Sequence, residues 1–540
     1  MRFDAAQLPN TVEALQSLVI DFAELRQNYE TEISVLKEEI SLLKHRLFGR
    51  KSEKLPVGTG QLLLFNEAEA GKAEDRGAAP EKIAVPAHER RRGCRKPLPD
   101  NLPRVEALHD LTDEQKQCAC GEQKSRIGEE VSEQLDIIPP KIQVIQHIRP
   151  KYVCKKCEGV AADEPAVSIA PMPEQMIPKS IATPGLLAWS LTGKFVDALP
   201  FYRIEHILKR YGVEVSRQTL CCWAVKVAEL CRPLLELMEE DILQGFQINA
   251  DETTLQVLQE PGREATTRSY MWLFRGGTGQ RPVIIYQYHE RRSGQVAKEF
   301  LKNYAGYVQT DGYLGYDFLE QMPEITHLGC WAHVRRKFFE VVNAVGKDKD
   351  GKKKTGSGEV ALDYIGKLYL IEKECAEQKL SFEQIARERQ SRAGPIVEQF
   401  RAWLDKRSPQ VPPGSTVGKA ISYTLGQWER LVVYLRDGRL RPDNNRAENA
   451  IRPFVVGRKN WLFAATPDGA HASAAIYSII ETAKANGLEP YWYLRYLFER
   501  LPKAKTTEEY KALLPHCVDR SQINVSASLT ASSQPPHCMS

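Results

Sequence analysis

The chain has 540 residues, of which 42% are hydrophobic and 27% are charged, and its formal net charge at pH 7 is +4. That length exceeds what one hydrophobic core accommodates, so several domains are expected. The small net charge excludes a basic field over the whole surface, and no stretch approaches the ~18 consecutive apolar residues of a membrane span. We therefore predict a cytoplasmic protein whose 12 cysteines are thiols or metal ligands rather than disulfides.

The first predicted element is a long helix over residues 11–48, within an N-terminal region of residues 1–54. Apolar residues step by three and four from Leu15 to Leu47, with one stutter around Tyr29. This narrow apolar stripe predicts a coiled coil through which the chain forms a homo-oligomer. An amphipathic helix packed on its own chain is the alternative interpretation.

A basic run follows the helix and leads into a linker. Arg50 and Lys51 lie in this run, where they either contact phosphates or are simply solvated. Residues 55–104 contain much Ala, Gly, Glu and Pro and few apolar side chains, which is too little to build a core. This segment is therefore predicted to be a linker.

Two closely spaced cysteine pairs mark the next region, residues 105–165. They are Cys118 with Cys120, and Cys154 with Cys157. Two such pairs around a predicted strand at residues 144–149 indicate a zinc-ribbon-like module, in which four thiolates close a structural Zn²⁺ site. The first pair is separated by one residue instead of the usual two, so buried thiols are the alternative. Lys155 and Lys156 are candidates for phosphate contacts.

Residues 180–240 are predicted to be helical and to form a DNA-binding region. A helix over residues 202–208 is followed by a break at Gly212 and by a second helix that Ser216 caps. Helix, short glycine turn and helix are typical of a helix-turn-helix, with Arg217 as a candidate DNA contact at the start of the second helix. An ordinary helical hairpin fits the same pattern.

Residues 245–345 change to an alternating pattern, and the predicted order is three strands, helix, strand, helix, strand, helix. This is the order of a ribonuclease H-like α/β core. Asp251 falls on the first strand and Asp311 at the end of the fourth. These strands are neighbours in that fold, so both carboxylates are expected to point into one cleft. The last helix is basic, and its candidate phosphate contacts, which alternatively form a solvated face, are Arg335, Arg336 and Lys337.

Helical patterns fill residues 346–440, which we interpret as an insertion, and residues 441–505 complete the core with further helices. Residues 520–540 are rich in Ser, Ala and Pro and are predicted to be a disordered tail. The expected fold class is therefore multidomain α+β. It comprises a ribonuclease H-like core with a long helical insertion, preceded by a coiled coil, a zinc-ribbon-like module and a helical DNA-binding region.

The third acid of the predicted site is Glu448, which follows the insertion. Asp443 or Asn444 caps its helix, and Arg452 lies one turn later, where it either contacts phosphate or pairs with Glu448. Three converging carboxylates favour two hard divalent cations, Mg²⁺ or Mn²⁺. Such a pair activates the attacking water and stabilises the leaving oxygen of a displacement at phosphorus, so the acids predict DNA strand cleavage and joining.

Neighbouring residues compete for these roles. Glu252 adjoins Asp251, but alternation along the strand turns it to the other face. Asp443 is the main rival to the third acid, because a capping carboxylate is also a potential ligand. Cys330 and His333 have the spacing of metal ligands but lack a second pair nearby, and a packed helix start is the favoured interpretation.

Together these motifs resemble those of the IS66 family of insertion-sequence transposases, over nearly the whole chain. The segments that carry the resemblance are Arg46–Lys54, the two cysteine pairs, Ala250–Thr253, Asp311–Tyr313, Cys330–His333 and Asp443–Pro453. Each motif alone is weakly specific, whereas their order and number are highly specific.

The resemblance implies a DDE transposase that acts at the bacterial nucleoid on the terminal inverted repeats of a mobile element and on target DNA. Small accessory proteins of the same element are implied partners. The family's acids map onto Asp251, which bridges both metals, and onto Asp311 and Glu448, which each hold one. Two other functions stay open: a non-catalytic DNA-binding regulator, and a ribonuclease H-like nuclease without strand transfer.

Overall fold

The computed structural model describes residues 11–48, 142–153, 167–279, 281–344 and 356–523. None of the helices in these ranges is long and apolar enough to cross a membrane. The chain divides into two units, which are residues 1–70 with 174–523 and residues 71–173 with 524–540.

In the second unit the described residues form one antiparallel hairpin. Strand β1 spans Lys151–Val153 and strand β2 spans Val167–Ile169. The strand predicted at residues 144–149 is wrong, because residues 142–150 form no strand. Their alternation has no layer to pack against, and Val144 is 94% exposed. The predicted zinc ligands and the linker lie outside the described residues, namely Cys118, Cys120, Cys154, Cys157 and residues 55–104.

Helix α1 spans Val12–Phe48 and confirms the predicted N-terminal helix. Its apolar stripe is exposed to solvent, and the stripe includes Leu25, Tyr29, Ile33, Leu36 and Ile40. Toward its C-terminal end the helix contacts the rest of its unit. Glu38 Oε2 accepts a hydrogen bond from the Thr416 amide at 3.1 Å, and Glu39 pairs with Lys419 at 2.9 Å. The exposed stripe supports the interpretation as a coiled coil. The contacts at the C-terminal end support the interpretation as a helix packed on its own chain.

Four helices precede the sheet. They are α2 (Pro184–Phe195), α3 (Phe201–Arg210), α4 (Arg217–Leu230) and α5 (Arg232–Leu243). Ser216 caps α4 as predicted, because its Oγ accepts a hydrogen bond from the Thr219 amide at 3.2 Å. Gly212 in the preceding turn has a φ of 76°, which glycine adopts without strain.

A five-stranded sheet lies at the centre of the larger unit, in the order β5-β4-β3-β6-β7. The strands are β3 (Gln247–Gln256), β4 (Arg268–Gly276), β5 (Val283–His289), β6 (Gly306–Gln309) and β7 (Ile325–Leu328). Strands β3, β4 and β5 pair antiparallel, whereas β6 and β7 run parallel to β3. Helix α6 (Gly294–Phe300) precedes β6, and α7 (Trp331–Ala344) follows β7. The predicted succession of strands and helices is confirmed.

The predicted insertion is helical and has a hydrophobic core of its own. Its helices are α8 (Ser357–Glu377), α9 (Phe382–Glu388), α10 (Gly394–Arg407), α11 (Thr416–Gly426) and α12 (Trp428–Leu431). Trp331 and Phe338 of α7 join Phe400 in this core. The side chain of Arg389 is 2% exposed and binds Glu372 through two nitrogen atoms, each 2.7 Å from a carboxylate oxygen. The insertion is thus anchored on the helix that leaves the sheet.

Helices after the insertion complete the core. They are α13 (Asn445–Trp461), α14 (Pro467–Ala485), α15 (Pro490–Arg500) and α16 (Thr507–Ala512). Ser478 and Thr482 of α14 accept hydrogen bonds from the amides of Tyr286 and Ile284 on edge strand β5, which would otherwise be unpaired. Ile523 is buried, so the predicted tail begins no earlier than residue 524.

Candidate active site

A network of buried amide side chains joins three segments that are far apart in the sequence. Asn249 on β3 donates from Nδ2 to Gln309 Oε1 at 3.0 Å and to Asn444 Oδ1 at 2.9 Å. Asn444 donates in turn to the carbonyl of Ala250 at 2.9 Å, and Gln309 donates to two carbonyls of adjoining loops. The three amide side chains belong to residues at most 3% exposed, so these bonds form away from water.

Each predicted acid follows a member of this network by two to four residues: Asp251 on β3, Asp311 after β6, and Glu448 in the first turn of α13. The structure brings the three acids together. Burial raises the pKa of Asp251 well above its usual range, and the negative charges of Glu252, Asp311 and Glu448 raise it further. The cluster therefore concentrates negative charge around Asp251, which forms no ion pair among the described residues.

This donor set fits the divalent cations that the sequence predicts. Carboxylate oxygens are the ligands that Mg²⁺ and Mn²⁺ prefer. Glu448 Oε1 is buried and has no hydrogen-bond partner in the described part of the chain. A cation held by Asp251, Asp311 and Glu448 would supply that missing partner and remove the repulsion among them.

Glu252 is bound by an arginine and a tyrosine, although its charge also acts on Asp251. One of its oxygens accepts hydrogen bonds from the Arg292 guanidinium, and the other accepts from the Tyr316 hydroxyl at 2.7 Å. The Arg292 guanidinium stacks 3.6 Å from the centre of the Tyr313 ring, and the Tyr313 amide donates to Asp311 Oδ1 at 3.0 Å. Glu252 thereby holds the loop that carries Asp311.

The rival acid Asp443 caps a helix. Its Oδ1 accepts a hydrogen bond from the Asn445 amide at 3.2 Å, at the start of α13. The side chain of Asn444 is taken up by the amide network and makes no capping bond. This geometry favours Glu448 over Asp443 as the third acid.

Cys330 and His333 lie beside Glu448, and one ligand atom from each of the three lies within 4.8 Å of the others. The Cys330 sulfur accepts a hydrogen bond from the Asn444 amide at 3.2 Å, and burial raises the pKa of this thiol to about 12. His333 Nδ1 lies 3.7 Å from Glu448 Oε1. Cys330 is packed at the start of α7, as the sequence predicted, whereas the His333 side chain faces Glu448. The spacing of Cys330 and His333 in the sequence did not indicate that Glu448 would lie beside them.

Arg336, a predicted phosphate contact, instead binds an acid of the cluster. Its Nη2 lies 3.2 Å from Glu448 Oε2. Arg452, which the sequence places one turn after Glu448, makes no ion pair with it in the described structure. The predicted pairing of Arg452 with Glu448 is therefore not observed, and a phosphate contact stays a prediction.

The other predicted DNA contacts are scattered. Arg217 is exposed at the start of α4, and Lys337 is exposed on α7 with its Nζ 5.6 Å from the centre of the Tyr423 ring. The Arg335 guanidinium lies 5.8 Å from the Phe339 ring centre. The remaining candidates lie outside the described residues, namely Arg50, Lys51, Lys155 and Lys156.

Sequence reasoning missed an arginine cluster beside the amide network. Arg275 on β4 lies directly opposite Asn249 in the strand register, and Arg446 is in the first turn of α13. Burial, together with the charges of Arg441 and Arg275, lowers the pKa of Arg446 to about 10. None of these three arginines has an ion pair within the described ranges. Arg446 lies within the sequence motif that contains Glu448, so its place near the site could have been predicted. No sequence pattern indicated that Arg275 would lie there.

Four family models match this chain along its length. The model described as "Transposase IS66 family" matches residues 179–472, and the "IS66 C-terminal element" matches residues 478–516. The "zinc-finger binding domain of transposase IS66" matches residues 115–158. The "Transposase C of IS166 homeodomain" matches residues 35–107.

Similar proteins occur in Sinorhizobium fredii. "Uncharacterized protein y4jD" is 31% identical over 528 residues, which cover 94% of this chain and 96% of that protein. "Uncharacterized protein y4qI" is 30% identical over 556 residues, which cover 95% of this chain and 98% of that protein. The likeness therefore extends over almost the full length of both relatives.

The repulsion within the acid cluster predicts that Asp251→Asn stabilises the metal-free protein. Because the folded-state pKa of Asp251 is raised, the folded chain keeps this proton to a higher pH than the unfolded chain does. The carboxylate therefore destabilises the fold as the pH rises from the unfolded to the folded pKa. In EDTA near neutral pH we expect the variant to gain about 0.5–2 kcal/mol in the free energy of unfolding, measured with urea.

That gain should disappear below about pH 3, where the carboxyl is protonated in both states. The matched control is Asp405→Asn, which removes an exposed carboxylate of a surface ion pair with Arg401 and should change stability by less than about 0.5 kcal/mol. Equal stability of Asp251→Asn and the unaltered protein at every pH would contradict the repulsion.

Proposed function

The chain belongs to the IS66 family of transposases, and from that premise we propose that it cuts and joins DNA strands at Asp251, Asp311 and Glu448. The observation that carries this proposal is the convergence of the three acids from three separate segments of the chain. The strand order β5-β4-β3-β6-β7, with three antiparallel strands followed by two parallel ones, supports a ribonuclease H-like core.

In this proposal Asp251, Asp311 and Glu448 would hold two divalent cations, Mg²⁺ or Mn²⁺, with Asp251 as the ligand common to both. When bound, the cations would lower the pKa of a water molecule and stabilise the leaving 3′ oxygen. The chain itself fixes the carboxylates through the amide network. Arg336 orients Glu448 by binding Oε2 and leaving Oε1 free. The same three carboxylates serve both the cleavage of the element's end and its joining to target DNA.

Arg275, Arg441 and Arg446 are proposed to hold a DNA phosphate beside the acids. Their charges repel one another, as the pKa shift of Arg446 indicates, and a phosphate would relieve that repulsion. Arginine suits this role because its planar guanidinium binds two phosphate oxygens at once. The carbonyl of Arg441 accepts a hydrogen bond from Gln309 at 2.9 Å, so the amide network positions this cluster too.

Recognition of the terminal inverted repeats is proposed for the two regions that precede the core, the α3–α4 hairpin and the zinc-ribbon-like module. The exposed basic residues of the α3–α4 hairpin, including Lys209, Arg210 and Arg217, are placed to contact phosphates. The zinc-finger match at residues 115–158 supports a structural Zn²⁺ on the two cysteine pairs. Small accessory proteins of the same element are proposed partners.

Self-association is proposed through the exposed stripe of α1. A helix of 37 residues is ~55 Å long. The stripe residues Leu25, Tyr29, Ile33, Leu36 and Ile40 are 42–57% exposed. A second copy of α1 would bury them in a coiled coil. Two copies would bring two active sites together, which suits an element with two ends.

The main test is strand cleavage of a duplex that carries the ends flanking the gene. With Mg²⁺ we expect nicks at the repeat boundary, and we expect Asp311→Asn to slow nicking by about 10³-fold or more, the scale of a lost group that stabilises the transition state. DNA binding, measured by gel shift, should persist in the variant.

The matched control is Asp317→Asn, because Asp317 pairs with Arg430 on the surface and lies outside the acid cluster. It should cleave at the unaltered rate. Tight binding with negligible cleavage by all three proteins would contradict the catalytic proposal and favour a DNA-binding regulator. Cleavage without joining to target DNA would favour a nuclease.

The arginine cluster predicts a change in the salt dependence of DNA binding. Replacing Arg446 with Gln removes one phosphate contact, so the slope of log K against log salt concentration should fall by about 0.9 for duplex DNA. Fluorescence anisotropy with a labelled end duplex measures this slope. Arg401→Gln, at an exposed ion pair of the insertion, should leave it unchanged. An unchanged slope in Arg446→Gln would show that the cluster does not hold phosphate.

The coiled-coil proposal predicts that Ile33→Lys shifts the protein toward the monomer, because a buried ammonium group in an apolar seam is unfavourable. Sedimentation equilibrium of the full chain gives the mass directly. Glu24→Lys changes charge on an exposed position outside the stripe and should leave the mass unchanged. A monomeric unaltered protein at micromolar concentration would contradict the proposal.

A further inference from the structure

His333 and Glu448 present two buried atoms to each other without a hydrogen bond. His333 Nδ1 and Glu448 Oε1 are 3.7 Å apart, beyond hydrogen-bond distance. Neither atom has a hydrogen-bond partner within the described residues. Two orphaned buried polar atoms that face each other are unfavourable unless a third atom lies between them.

A shared cation satisfies both atoms. Two donor atoms that each lie ~2.1 Å from one cation are at most ~4.2 Å apart, and the observed 3.7 Å falls below that limit. The other oxygen of Glu448 is bound to Arg336 at 3.2 Å. The carboxylate is thus divided, with one oxygen on the guanidinium and the other directed toward the imidazole.

The position of His333 is fixed by the start of α7. The Trp331 amide donates to the carbonyl of Pro442 at 2.9 Å, and the Trp331 indole donates to the carbonyl of Leu431 at 2.9 Å. The indole and the next core side chain, Val334, are fully buried. His333 therefore approaches Glu448 from a rigid turn.

Cys330 lies beside His333 but is already hydrogen-bonded. It is 3% exposed, and its sulfur already accepts a hydrogen bond from the amide of Asn444 at 3.2 Å. That contact ties the start of α7 to the start of α13. The imidazole is the member of the pair that is left to bind a ligand.

We propose that His333 is a fourth protein ligand, binding through Nδ1 the cation that Glu448 holds. This inference rests on the proposed function, because it concerns one metal of the same site. An imidazole nitrogen favours borderline transition metals over Mg²⁺, which prefers oxygen. The Glu448 position should therefore bind Mn²⁺ more tightly than Mg²⁺, whereas the position held by Asp251 and Asp311 has only oxygen ligands from the chain.

The test is pulsed electron paramagnetic resonance of Mn²⁺ bound to the full-length, zinc-loaded protein without DNA. A coordinated imidazole produces nitrogen modulation of the Mn²⁺ echo, and an all-oxygen site does not. We expect this modulation in the unaltered protein, and its loss in His333→Ala and His333→Gln. The Mn²⁺ dissociation constant of one site should rise by at least about tenfold in both variants, since even indirect supports of a metal ligand change affinity by 10–100-fold.

Two controls assign the signal. His289→Ala removes an imidazole that lies outside the cluster and accepts a hydrogen bond from the Arg291 amide, and it should leave the modulation intact. Cys330→Ser should do the same, because the modulation comes from nitrogen and not from sulfur. Retention of the nitrogen signal in His333→Ala would overturn the assignment, and so would its loss in His289→Ala.

Mn²⁺ binding to the unaltered protein and to Asp251→Asn distinguishes a failure of the His333 ligand from a failure of the whole metal site. Binding of Mn²⁺ that depends on Asp251, without nitrogen modulation, would overturn the role of His333 and leave the proposed metal site in place. Absence of Mn²⁺ binding, or binding that Asp251→Asn does not weaken, would overturn the metal site and with it the role of His333.

Discussion

The buried amide network of Asn249, Gln309 and Asn444 is the constraint on which the site depends. Neutral amides tolerate burial when their donors and acceptors are paired, whereas an unpaired buried donor costs about 1–3 kcal/mol. The bonds at 2.9–3.0 Å between these side chains therefore form together, once β3, β6 and the start of α13 have docked. Because Asn444 follows the insertion in the chain, the network ties the segment after the insertion to the sheet that precedes it.

The charges of the larger unit fall into two classes. Glu252 and Glu372 are each bound to an arginine, Arg292 and Arg389 respectively, and these pairs hold loops and helices in place. Asp251, in contrast, is surrounded by acids that raise its pKa. Buried charge that serves the fold is paired, and charge that is left in repulsion is available to a ligand of opposite sign. By the same reasoning Arg275, Arg441 and Arg446, which form no ion pair among the described residues, are proposed to hold an anion.

Much of the core was predictable because its signals are local. Alternation from Phe246 predicted β3, and the position of Asp311 at a strand end predicted that its charge would lie near Asp251. Residues 144–149 alternate in the same way and form no strand, because alternation specifies a strand only where a second layer covers its apolar face. The prediction thus succeeded where the hydrophobic core of the sheet supplied that layer.

Contacts between separate elements were beyond the sequence for a different reason. Arg275 lies opposite Asn249 through the register of β3 and β4, and His333 of α7 lies 3.7 Å from Glu448 of α13. Neither contact is encoded by spacing along the chain, since each depends on how two elements meet in the fold. The amide network was missed for the same reason, although each of its members adjoins a predicted acid.

Helix α7 joins the parts of the larger unit that the function requires. Its first turns carry His333 and Arg336 to Glu448, and its buried face, with Phe338, belongs to the core of the insertion. The C-terminal part of α1 packs against α7 and against α11. A close-packed helix moves as a unit. In the proposed dimer, a second copy bound along α1 would therefore lie against the same helix that carries His333 and Arg336 to Glu448.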